Sequence, residues 1–151
     1  ILMKNNSRAD VILYDTTVKE FTASTRTPVV DLAEKIVDQA MGGGTETSLV
    51  FDYANTKGIK YNRVIILSDN ESWNEDSVQD VYTEYKKLTG TDPFVYAVDI
   101  QGYGTTDLKG GRIFHLVGWS ERMLDFMEWA EKGESFVDYV KNYTLDKDDT
   151  I

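Results

Sequence analysis

Cysteine is absent from this 151-residue chain, which excludes disulfides, thiolate metal sites and cysteine nucleophiles and suits a reducing compartment. Histidine occurs once, as His115, inside an apolar strand-like run with no nucleophile motif beside it, so we expect a packed, hydrogen-bonded residue and no catalytic role. No apolar run approaches the roughly 20 residues that a helix needs to cross a bilayer. Positive charge is also short: 16 lysines and arginines face 26 aspartates and glutamates, for a formal net charge of -10. Such a surface repels phosphate backbones and anionic membranes and tolerates cations or basic partners, so direct nucleic-acid binding by this chain is disfavoured. What is present is ordinary globular material, 41% apolar and 12% aromatic, enough to fill the core of one compact domain. A soluble, cytoplasmic protein is the expectation. No signal peptide is visible, and the chain opens Ile1-Leu2-Met3 without an initiator methionine, so we expect an engineered piece, a cleavage product or part of a longer polypeptide.

Short apolar strands alternate with amphipathic helices along the chain. Asp10 to Asp15 reads as a strand that leads into an edge hairpin over Thr16 to Phe21. After Thr27 and Pro28, the residues Val29, Leu32, Ala33, Ile36, Val37, Ala40 and Met41 repeat at helical spacing until Gly42-Gly43-Gly44. Leu49, Val50, Tyr53 and Ala54 predict a short helix ended by Gly58, and Arg63 to Ser68 a buried strand. Val78, Val81, Tyr82, Tyr85 and Leu88 mark the next helix, with acidic residues at its start, Lys86 and Lys87 near its end and Gly90 after it. Strands follow at Phe94 to Ile100 and Ile113 to Val117. A helix capped by Ser120 and stapled by Trp119 and Leu124 comes next, then a last helix from about Ser135 to Tyr143. The expected class is α/β: a doubly wound, mostly parallel sheet flanked by helices. A single domain over residues 1–145 and a flexible acidic tail over 146–151 complete the division.

In open parallel sheets ligands bind beyond the carboxyl ends of the strands. Asp69 ends the run Arg63 to Ser68 there, and a second polar loop, Gly43-Gly44-Thr45-Glu46-Thr47-Ser48, lies upstream. Hydroxyl and carboxylate oxygens from two loops are the donors that a hard divalent cation such as magnesium takes. The same residue types also serve as turn formers and helix caps, which by spacing alone is the commoner use. Asp99 at its strand end has both readings, a carboxylate behind the site or a turn former, and Trp73 reads as a rim anchor or a lid on the sheet edge. Gly102-Tyr103-Gly104 and Gly110-Gly111 lack the lysine and spacing of a phosphate loop.

Three stretches together resemble the von Willebrand factor A domain, in the version found at the C-terminal end of Ro-type (TROVE) RNA-binding ring proteins. They are Gly43-Gly44-Thr45-Glu46-Thr47 with the helix after it, Ile65-Ile66-Leu67-Ser68-Asp69-Asn70-Glu71, and Gly118-Trp119-Ser120 through Tyr143-Thr144-Leu145-Asp146. The resemblance implies a Rossmann-like fold with a metal-ion-dependent adhesion site (MIDAS), in which Thr45 and Asp69 match the second and third loops. Glu46, Thr47, Asn70, Glu71, Trp73, Asp15 and Asp99 would stand at the rim of that site or behind its ligands. The family's first strand and its Asp-x-Ser-x-Ser loop have no counterpart in the sequence, and Ile1 to Lys4 resembles the end of the helix that follows that loop. The missing strand belongs between Asp10 to Tyr14 and Arg63 to Ser68, so we expect either an unfilled slot or pairing across the gap.

The resemblance implies a protein-binding domain, not an enzyme. Its magnesium or other divalent cation would accept a partner's carboxylate, and it would belong to a ribonucleoprotein whose RNA contacts lie outside this chain, in small-RNA binding or RNA quality control. Two alternatives stand beside it. One is a magnesium-dependent hydrolase or phosphotransferase using Asp69 and Asp15, for which no nucleophile or base is evident. The other is a metal-free scaffold of the same fold.

Overall fold

A computed structural model describes residues 8–39, 42–68, 78–102 and 108–133. The expected helix at Ser135 to Tyr143, the tail over 146–151 and the opening Ile1 to Lys4 lie outside them. The architecture is α/β, as the alternation of strands and helices predicts. Its centre is a parallel sheet of β3 (Arg63–Ser68), β4 (Phe94–Asp99) and β5 (Ile113–Val117) in that order. Arg63 pairs with Phe94 and Ser68 with Asp99 across β3 and β4, while Val95 pairs with Ile113 and Asp99 with Val117 across β4 and β5.

Side chains alternate across this sheet, so each face has its own core. Val64, Ile66, Val95 and Ile113 face one layer, built from Phe51 and Ala54 of α2 (Leu49–Lys57) and Val78, Tyr82 and Tyr85 of α3 (Val78–Thr89). Ile65, Phe94, Tyr96, Phe114 and Leu116 face the other, against Met127, Trp129 and Ala130 of α4 (Arg122–Glu131). The middle strand therefore reads as continuous apolar sequence: Val95, Tyr96, Ala97 and Val98 are at most 1% exposed. Full burial of a large apolar side chain is worth about 1.5–3 kcal/mol relative to exposure.

The buried tyrosines keep their hydroxyls satisfied. Tyr82 donates to Asp92 at 2.8 Å, Tyr85 to the Ile59 carbonyl at 3.2 Å, and Tyr96 to the Met127 carbonyl at 3.1 Å. Burial pushes the phenols of Tyr82 and Tyr96 well above their ordinary range. Arg63, at the head of β3, forks onto the Glu131 carboxylate, with Nη2 2.6 Å from Oε2, and so ties the end of α4 to the sheet. Gly58 ends α2 at a φ of 64°, in the left-handed region open to glycine, while the Gly58 and Ile59 amides close the helix on Asn55 and Ala54.

The first two strands stand apart. β1 (Val11–Tyr14) and β2 (Val18–Phe21) form their own antiparallel hairpin, with Val11 opposite Phe21 and Tyr14 opposite Val18. Among the described residues no strand joins this pair to the three-stranded sheet, so of the two expected outcomes the structure shows separate sheets and no pairing across the gap. Side chains attach the hairpin instead. Tyr53 of α2 donates to Glu20 at 3.0 Å, Tyr61 before β3 donates to Asp10 before β1 at 2.8 Å, and Tyr14 packs on the Phe51 layer.

Three local expectations differ from the structure. The helix α1 (Val29–Gln39) forms as its period predicts, yet among the described residues of its apolar stripe only Leu32 is buried; Val29, Ile36 and Val37 are exposed. Periodicity defines an apolar face, and no described element covers this one. α4 starts at Arg122 after Glu121, one residue later than a Ser120 cap implies, and Ser120 accepts the Arg122 amide at its hydroxyl at 3.3 Å and the Met123 amide at its carbonyl at 3.0 Å. Trp119 is 51% exposed, so it does not seal the helix start as a staple would. His115, on the same face of β5 as Ile113, is itself exposed, with Nε2 2.9 Å from the Leu108 carbonyl oxygen, so it is hydrogen-bonded as expected but not packed away.

Candidate functional site

The carboxyl ends of β1, β3 and β4 converge on a cavity of about 300 Å3 lined by Tyr14, Thr45, Leu67, Ser68, Ile100 and Gln101. Its position follows from the parallel register, which brings Ser68 level with Asp99 at the same edge of the sheet. Backbone bonds fix the two strand ends, from the Ile100 amide to Ser68 O at 2.9 Å and from the Gly118 amide to Asp99 O at 2.8 Å. The loop that carries Thr45 is held to β1 by the Glu46 amide, which donates to Asp15 O at 2.9 Å.

Of the residues singled out in the sequence, Thr45 lines the cavity and Asp15, Glu46, Thr47 and Asp99 are described around it; Asp69, Asn70, Glu71 and Trp73 lie outside the described residues. Asp15 is committed to local bonds. Its Oδ1 accepts the Thr17 amide at 2.8 Å and hydroxyl at 3.2 Å, and its Oδ2 accepts the Gly43 amide at 3.1 Å. Those donors, the Thr17 amide foremost, hold the carboxylate ionised below its ordinary range against the opposing effect of desolvation. Gly43 permits this approach, since a Cβ there would stand 3.0 Å from Asp15 Oδ2. Asp99 is 2% exposed, and its Oδ1 accepts the Gln101 amide at 3.0 Å and the Gly102 amide at 2.7 Å. Of its two readings, the turn former is the one these bonds express.

Glu46 Oε1 accepts a 3.4 Å bond from the Ser48 hydroxyl at the head of α2. Thr47 is 2% exposed, and its Oγ1 has no hydrogen-bond partner among the described residues. Ser68 is also buried, at 7% exposure. It is the site residue that spacing alone undervalued, although its place directly before Asp69 was a signal; Tyr14 and Gln101 had none, because their part in the lining depends on how strands from distant sequence align.

The side-chain oxygens described in the lining are therefore neutral, the hydroxyls of Tyr14, Thr45 and Ser68 and the amide of Gln101, while the carboxylates of Asp15 and Asp99 accept backbone amides. Among the described residues no three histidine, cysteine, aspartate or glutamate side chains gather as a metal cluster. A hard cation needs anionic oxygen as well as hydroxyl and water, so the described residues by themselves do not make a magnesium site. Among the described residues no helix is long and apolar enough to cross a membrane.

No family model and no curated protein matches the chain in sequence. Among solved structures it is similar to the Ro (RSR) protein of Deinococcus radiodurans, with a TM-score of 0.68 and 17% identity over 82% of this chain and 25% of that one. The likeness establishes the fold, an α/β domain of the kind contained in that Ro protein. The present chain spans about a quarter of the length of that relative.

Proposed function

We propose that the chain is a protein-binding domain of the adhesion type, the von Willebrand factor A-like part of a cytoplasmic Ro-type RNA-binding protein. On this reading it is not an enzyme, and it takes a partner's carboxylate at the carboxyl end of its sheet. The observation that carries the reading is the cavity, which sits where open parallel sheets bind ligands and brings Thr45, from a loop, together with Ser68 at the end of β3. The Ro-like fold supports placing it in such a protein. The formal charge of -10 disfavours RNA contacts on this chain and so supports leaving them to other parts of such a protein.

Magnesium or another divalent cation belongs to the proposal through Asp69 and Thr45, with anionic donors beyond the described residues completing the set. The experiment is a magnesium titration of the purified chain followed by amide NMR, beside an assay with p-nitrophenyl phosphate. The reading expects shifts centred on Thr45 and Ser68, their loss in Asp69→Ala, and no turnover. Magnesium-dependent hydrolysis that disappears in Asp69→Asn would establish the hydrolase alternative instead. No response to magnesium would leave the metal-free scaffold.

A further inference from the structure

We draw no further inference here: the strongest candidate, the exposed apolar face of α1 formed by Val29, Ile36 and Val37, carries none because nothing in the structure shows what covers it.

Discussion

β4 and β1 are both written as uninterrupted apolar runs, Phe94-Val95-Tyr96-Ala97-Val98 and Val11-Ile12-Leu13-Tyr14, yet they end in different surroundings. β4 lies between β3 and β5 with helices over both faces, and Val95, Tyr96 and Val98 have no exposed surface. Among the described residues β1 has one strand neighbour, β2, and every residue of it is half-buried. A strand's composition records how many sides it is built to have covered, and in β1 that record and the described surroundings disagree.

Substitutions can sharpen this contrast. Tyr96→Ala removes a fully buried ring stacked on Phe114 at a centroid distance of 5.4 Å, and should cost about 3–5 kcal/mol in denaturant unfolding. Leu13→Ala in half-buried β1 should cost about 1–2 kcal/mol; equal losses at the two sites would erase the comparison. Tyr61→Phe keeps the ring and cuts the hairpin's bond to the sheet, for about 0.5–1.5 kcal/mol. Its larger signature should be faster amide exchange confined to β1 and β2.

The smallest effect is a pH response at the end of β1. The folded value of Asp15 is depressed below 3.8, chiefly by the Thr17 amide. Its contribution is therefore complete above that ordinary value and disappears as pH falls through the lower folded one. The Gly43 amide shift, followed into acid, should turn over below 3.8. A midpoint at or above that value would mean that the bonds from Thr17 and Gly43 do not hold the carboxylate in solution.

Periodicity made the sheet legible, and β3, β4 and β5 lie where their apolar spacing predicts, as do the buried Tyr53 and Ala54 of α2 and Val78, Tyr82 and Tyr85 of α3; Leu88 is 66% exposed, and Phe51, outside the expected stripe, is buried. Coverage was not legible. Val29, Ile36 and Val37 announce a buried helix face that no described element meets, because a period defines a face and not its neighbour. In the candidate site, Thr45 could be found from its loop. The commitment of Asp15 could not, since one of its donors, Gly43, comes from 28 residues away. Nor could the turn bonds of Asp99 be told from a ligand role, because both uses ask for the same carboxylate at a strand end. The expectation of a gap between Asp10 to Tyr14 and Arg63 to Ser68 came from the resemblance and not from the residues themselves, and among the described residues β1 and β3 stand in separate sheets.

Native-state amide hydrogen exchange of the isolated chain tests the central comparison most directly, that β4 is covered on every side and β1, among the described residues, is not. Amides of Val95 to Val98 should exchange only through global unfolding, whereas those of Val11 to Leu13 should exchange through a smaller, local opening. If β1 proves as slow as β4, the two strands are equally protected, and the comparison fails.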